Sequence, residues 1–325
     1  MPGRAGTAAK PRLPTVDSAQ AGGATELAED PRLTERRNPA SVEIDRMGPL
    51  EIVDLINRED RRVAVAVAEV RKPVATALRL AEAAFRAGGR LVYVGAGTSG
   101  RLGVLDAAEM PPTFGTPPEM VHGVIAGGHR ALTRAQEGAE DEAGDGARAL
   151  DELDVGATDF VLGIATSGTT PFVHGALALA RERGAKTGFL LCTEPSPELV
   201  ATHDVVIAPL VGPEVITGST RMKAGSATKL ILNAITTGAM VRLGKVHGNL
   251  MVDLQTTCRK LRDRGRRIVS ETLEKSAEEA EALIERAGGS VKTALAMGML
   301  DAGRAEAERR LAEAGDVLAG IADRE

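Results

Sequence analysis

The spacing of apolar positions changes along the chain, and the changes mark out its organisation. Residues 1–32 are rich in Ala, Gly, Pro and Thr without an apolar period, which predicts a disordered tail. Between Thr34 and Asn57, the positions Ile44, Met47, Leu50, Ile52, Val53 and Leu55 predict short helices. From Asp60 to Ala87, Val63, Val67, Val70, Val74, Leu78 and Ala84 predict a long helical stretch that Pro73 breaks or kinks.

Short apolar runs then alternate with helical patterns. Strands are expected at Leu91–Val94, Val121–Ala126, Asp159–Ala165, Lys186–Thr193 and Val205–Leu210. Between them, helices are expected over the Leu102, Val104, Leu105, Ala108 stripe, over a polar stretch running through Glu140, and over Phe172–Arg183, with another over Ala224–Val241 after the last strand. This alternation predicts an α/β fold, a three-layer αβα sandwich around a five-stranded parallel sheet. From Leu254 the chain is charged and helical. Gly265, Gly288–Gly289 and Gly315 punctuate it into a small bundle, with helical pieces at 276–286 and 291–313. The expected division is a tail (1–32), a sheet domain with N-terminal helices (33–250) and a C-terminal helical domain (251–325).

Candidate chemistry sits where strands meet helices. The first strand runs into Gly95-Ala96-Gly97-Thr98-Ser99-Gly100, a glycine-rich turn before a helix, where free N–H groups and the helix dipole favour an anion. The spelling fits a dinucleotide loop, but no acidic residue closes the next apolar run, which ends in Gly127-Gly128-His129. The third strand ends in a similar turn, Thr166-Ser167-Gly168-Thr169-Thr170-Pro171, with Pro171 suited to a first helical position. One pyrophosphate needs one such turn. Two turns offering Thr98, Ser99, Gly100, Ser167, Gly168, Thr169 and Thr170 fit a phosphomonoester gripped from two sides. The plainer alternative is that these hydroxyls cap their helices. A further loop, Gly212–Gly225, supplies Ser219, Thr220, Arg221 and Lys223 as candidate substrate contacts.

Composition narrows the class. The net charge is −5, with acids and bases mixed, no Trp, one Tyr and five Phe, so neither a basic stripe nor stacking platforms for nucleic acid are expected. Cys192 and Cys258 form no disulfide framework, and five scattered histidines predict no metal site. No apolar run approaches the ~20 residues that span a bilayer. The chain reads as a cytoplasmic protein that needs no cofactor.

The paired hydroxyl turns resemble the sugar isomerase (SIS) domain, a phosphosugar-binding fold. Longer motifs extend the match: Gly95-Ala96-Gly97-Thr98-Ser99-Gly100-Arg101-Leu102-Gly103, Asp106-Ala107-Ala108-Glu109-Met110-Pro111-Pro112-Thr113, Gly138-Ala139-Glu140-Asp141, Thr217-Gly218-Ser219-Thr220-Arg221-Met222-Lys223-Ala224-Gly225, Gly248-Asn249-Leu250-Met251-Val252-Asp253 and Ser41-Val42-Glu43-Ile44-Asp45. Together they closely resemble the N-acetylmuramic acid 6-phosphate (MurNAc 6-phosphate) etherase family from about residue 34 onward. The resemblance implies cleavage of a lactyl ether by removal of the C2 proton, elimination of D-lactate and addition of water, giving N-acetylglucosamine 6-phosphate. It implies Glu109 as the acid at the ether oxygen and Glu140 as the base at C2. Read as residues alone, Glu109 pairs with Asp106 on a helix face and Glu140 lies in an acidic run, both ordinary surface patterns. Ser99 and Glu109 stand about 15 Å apart on an unbroken helix. Either the helix ends early, as Pro111-Pro112 hints, or the acid comes from a partner, which predicts a homodimer with shared sites. Thr169 replaces an arginine common in the family, which shifts attention to Arg221 and Lys223. The competing reading on the same fold is a non-catalytic sensor of sugar phosphates.

Overall fold

The computed structural model describes Asp30, residues 32–254 and residues 259–322. The expected tail, apart from Asp30 and Arg32, lies outside the described residues, as does Cys258. Single 3-10 turns at Leu33–Glu35, Pro39–Ser41 and Ile44–Arg46 replace the first of the expected short helices. The helices α1 (Pro49–Glu69) and α2 (Arg71–Arg86) follow, separated by Val70 alone. The break precedes Pro73, which occupies the first turn of α2, where a missing N–H costs no intrahelical bond.

The sheet is built by β1 (Leu91–Gly95), α3 (Gly97–Phe114), β2 (Val121–Ile125), α4 (Ala143–Glu152), β3 (Phe160–Ile164), α5 (Pro171–Glu182), β4 (Lys186–Leu190), α6 (Pro197–Thr202) and β5 (Val205–Ile207). All five strands are parallel, in the order β2-β1-β3-β4-β5. Alternate residues of β1 serve opposite layers, as the pleat requires. Leu91 and Tyr93 enter a core shared with α2, α3 and the long helix α7 (Lys223–Arg242), while Val92 and Val94 enter a core shared with α5. At the amino end of the sheet the Arg90 guanidinium and backbone N–H both donate to Asp159, pinning the starts of β1 and β3 together.

A two-stranded hairpin, β6 (Val246–His247) and β7 (Leu250–Met251), leads to α8 (Arg259–Leu273), α9 (Ala277–Arg286), α10 (Val291–Leu300), α11 (Arg304–Glu313) and α12 (Ala319–Ala322). These C-terminal helices enclose their own core around Val269, Leu295 and Leu311, and Met251 packs against both this core and that of the sheet.

Three local expectations are corrected. The polar stretch through Glu140 is a 3-10 turn at Gly128–Leu132 followed by irregular chain, because Gly127 and Gly128 take positive φ (81° and 66°) and no apolar stripe follows to hold a helix. Helix α3 does not stop at Pro111-Pro112. Buried Met110 and Phe114 keep its last turn on the core, and Gly115 ends it at φ 63°. Gly265 lies buried inside α8, and the bundle breaks instead at the Ser276 capping box and at Asp301, which splits 291–313.

Buried His203 shares a hydrogen bond with Thr187, and burial lowers its pKa to about 4. At neutral pH it is uncharged in both folded and unfolded chains. Below about pH 6.5 the unfolded chain takes up a proton that the folded chain refuses, so stability falls from there down to about 4. Urea unfolding should therefore show a loss of about 3 kcal/mol across that window at this site, and His203→Gln should flatten the dependence.

Candidate functional site

The chain leaves β1 toward β2 on one side and returns to β3 on the other, so the sheet's direction of progress reverses between β1 and β3. At such a point the connections part and leave a crevice beyond the carboxyl ends of the strands. Gly95 and Ile164 are register partners, so the turn after β1 and the turn after β3 start side by side.

In the first turn Ala96 stands at the N-cap of α3 without a side-chain cap, and Thr98 and Ser99 fall inside the first helical turn. Ser99 is buried and Thr98 half-buried. Gly100 crosses directly above β1, where a Cβ would lie 2.7 Å from the Gly95 carbonyl oxygen and 2.6 Å from Ile125 Cγ1. Only glycine lets α3 start this close to the strand tip. In the second turn Thr170 holds the N-cap position of α5 but its hydroxyl makes no cap bond. Ser167 Oγ and Thr169 Oγ1 lie 3.0 Å apart, and Gly168 turns the chain at φ 80°. The Nε2–H of His174 donates to the Gly168 carbonyl at 2.8 Å and fixes the turn from the helix behind it. Neither turn spends a hydroxyl on capping, so the hydroxyls of both turns and the first N–H groups of α3 remain as donors, whereas at α5 Pro171 has no N–H and those of Phe172, Val173 and His174 bond the Glu140 and Thr170 carbonyls.

Glu140 joins this region through its backbone. Its carbonyl accepts the N–H of Phe172, in the first turn of α5. A cavity of about 210 Å³ opens there, lined by Ala96, Gly97, Arg101, Gln136, Glu137 and Glu140 among others. The acidic run therefore includes side chains that share a cavity with the first turn. Arg101 donates from Nε to the Leu132 carbonyl at 3.2 Å, and it was not among the candidates from sequence. The signal was available: Arg101 follows Gly97 by one helical turn and so shares its face. A larger groove of about 660 Å³ runs along the outer edge of β2, past His122, Arg148 and Phe172, but neither hydroxyl turn nor either candidate glutamate lines it.

The third loop approaches from the other side. A Cβ on Gly225 would lie 3.6 Å from Thr98 Cγ2, which sets the start of α7 beside the start of α3. Glu214 caps α7, accepting the N–H groups of Lys223 (3.0 Å) and Ala224 (2.9 Å). Ser219 and Thr220 are half-buried and Arg221 is exposed. Lys223 is fully buried and its Nζ lies 2.6 Å from Glu59 on α1, so its charge is neutralised inside the protein. Burial alone would raise the Glu59 pKa, but hydrogen bonds from Lys223 and Asn38 outweigh it and hold the carboxyl below its usual range. Lys223→Met leaves buried Glu59 with only the Asn38 hydrogen bond and the exposed Arg62 at 3.7 Å. It should cost about 3–5 kcal/mol in chemical denaturation, and the double variant with Glu59→Met should recover much of that loss.

Asp106 and Glu109 prove to have opposite surroundings. Asp106 is buried, accepting the Tyr93 hydroxyl at 3.0 Å and pairing with Lys229 at 3.1 Å, which ties α3 to β1 and α7. Glu109 is exposed on the outer face. Because α3 is unbroken, Glu109 stands about 15 Å along the axis from Ser99. The chain thus brings together both hydroxyl turns and Glu140, and leaves Glu109 apart. Among the described residues no helix is long and apolar enough to cross a membrane.

Comparison with known proteins places these features in a context. A family profile, the glucokinase regulatory protein N-terminal SIS domain, matches residues 72–181. The N-acetylmuramic acid 6-phosphate etherase of Synechococcus elongatus is 54% identical over 263 residues, covering 81% of this chain and 85% of that protein. The etherase of Serratia proteamaculans is 52% identical over 279 residues, 86% of this chain and 94% of that one. Among solved structures, a phosphoheptose isomerase from Neisseria gonorrhoeae superposes with a TM-score of 0.44 at 19% identity, covering 58% of this chain and 98% of that chain.

Proposed function

The chain belongs to the N-acetylmuramic acid 6-phosphate etherases, and from that premise we propose how its residues divide the reaction. The substrate is MurNAc 6-phosphate and the products are N-acetylglucosamine 6-phosphate and D-lactate. The enzyme is a carbon–oxygen lyase. An alkoxide is a poor leaving group from an unactivated carbon, so the ring must open first. The C1 aldehyde then acidifies the C2 proton. Glu140 removes it, the C3–O bond breaks as Glu109 protonates the departing lactate oxygen, and water adds to C3 of the unsaturated aldehyde while C2 is reprotonated. Two carboxylates suffice for both proton transfers when their surroundings differ.

The observation that carries this reading is the side-by-side start of the two hydroxyl turns, with Glu140 tied by its carbonyl to the first turn of α5. Thr98, Ser99, Gly100, Ser167, Gly168, Thr169 and Thr170 hold the phosphate through the hydroxyls of both turns and the N–H groups at the start of α3. Ser219, Thr220 and Arg221 close the third side. With Lys223 paired to Glu59, Arg221 is the cation of that loop left to supply what Thr169 does not. Ser99→Ala combined with Ser167→Ala should raise KM about 100-fold, two hydrogen bonds to a charged group, with a smaller change in kcat.

Glu109 belongs to a shared site in a homodimer. The distance along α3 argues for it, and so do the exposed Leu105 (45%), one turn before Glu109, and Leu230 (44%) on neighbouring α7, apolar surface of the kind a second copy would cover. The C-terminal helices form a packing domain, 251–325, beside the sheet domain of 33–250. The cytoplasm is its place, since a sugar phosphate is charged and stays where it is made. Purified protein given MurNAc 6-phosphate in deuterated water should release lactate and place deuterium at C2 of the amino sugar. Lactate without deuterium at C2 would remove the elimination route.

A further inference from the structure

The etherase substrate carries a second anion, the lactyl carboxylate, and the residues assigned above leave it without a partner. The cavity beside the first turn is lined by Glu137 and Glu140, two acids that repel a carboxylate, and by Arg101, the sole cation among the described residues lining it. Among the described residues Arg101 makes no ion pair. Its Nε–H is spent on the Leu132 carbonyl, which fixes the plane of the guanidinium and leaves the terminal nitrogens free for a bidentate partner. Arg101 lies one turn beyond Gly97 and directly follows Gly100, about 1.5–4.5 Å further along α3 than the phosphate-binding N–H groups. It also lies on the same α3 face as Leu105 and Glu109, the face that meets the partner subunit in the shared-site reading.

We infer that Arg101 is the specificity residue for the lactyl carboxylate. It distinguishes the ether substrate from other hexosamine 6-phosphates and holds the lactyl group where the partner subunit's Glu109 reaches the ether oxygen. This assignment rests on the etherase reading and adds to it. Its chemistry is a planar guanidinium–carboxylate pair in a small cavity, which a lysine cannot reproduce in geometry although it restores the charge.

The test uses two reactions of the same protein. Lactate release from MurNAc 6-phosphate needs the carboxylate contact. Exchange of the C2 proton of N-acetylglucosamine 6-phosphate in deuterated water needs the phosphate grip and Glu140 but has no carboxylate to hold. Arg101→Met should lower kcat/KM for lactate release about 100-fold, mostly through KM, and leave the exchange rate on the product within a factor of about two. Arg101→Lys should recover part of the loss. The retained exchange also shows that the variant is folded. Equal losses in both reactions would place Arg101 on the phosphate or the C1 oxygen and overturn the assignment, as would unchanged lactate release in Arg101→Met. Wild-type protein that exchanges the C2 proton but releases no lactate would overturn the etherase reading itself, before any variant is made.

Discussion

Glu109→Gln should cut lactate release by about 100- to 10,000-fold, the range for loss of a general acid, while the C2 proton still exchanges with solvent. The separation follows from the order of events. Proton removal at C2 needs the phosphate held, the aldehyde open and Glu140 in place, and Glu109 enters only when the C3–O bond breaks. A glutamine keeps the shape of the side chain but has no proton to give the leaving oxygen. Because Glu109 is exposed on an intact helix and, among the described residues, makes no hydrogen bond or ion pair, the substitution should leave the melting temperature unchanged. Quenched-flow lactate assays and proton NMR of the sugar check the two halves separately. Unchanged turnover would clear Glu109 of the role.

Glu140→Gln should have the complementary effect, a loss of similar size in both lactate release and C2 exchange. Its backbone carbonyl, not its side chain, makes the contact with Phe172 at the start of α5. The substitution therefore keeps the irregular segment seated and removes only the carboxylate. Glu137 lines the same cavity, so Glu137→Gln provides the contrast: binding changes are expected there, and loss of exchange is not. If Glu137→Gln abolished exchange and Glu140→Gln did not, the base would be the wrong glutamate of the two.

How far the fold could be read from the chain depended on which forces acted locally. The five strands were legible because their apolar runs are short and bounded by glycine or polar residues. The crevice was legible because hydroxyls and glycine recur at two strand ends. The segment from Gly127 to Glu142 was not, since its irregular path rests on left-handed glycines and on one backbone bond to α5, neither of which leaves a periodic trace. The persistence of α3 through Pro111 and Pro112 was also hidden. Local propensity argues for a stop there, and burial of Met110 and Phe114 overrides it. The ion pair of Lys223 was hidden for a related reason. A lysine in a polar loop motif looks available, and its partner Glu59 lies far away in sequence on α1. Asp106 and Glu109 show the same limit at closer range: three residues apart, one is enclosed by Tyr93 and Lys229 and the other faces outward. Arg101 was within reach, one turn from Gly97, but its place in the cavity depends on the irregular segment that carries Leu132, Glu137 and Glu140.

In the proposed mechanism each site combines the hydroxyl turns and Glu140 of one copy with Glu109 of another. Mixing inactive Glu109→Gln with inactive Glu140→Gln tests this directly. After subunit exchange, about half of the dimers are mixed and each carries one intact site, so lactate release should return to about one quarter of the wild-type rate. Activity that stays at the level of the separate variants, in a mixture whose mixed dimers are verified by native mass spectrometry, would contradict it.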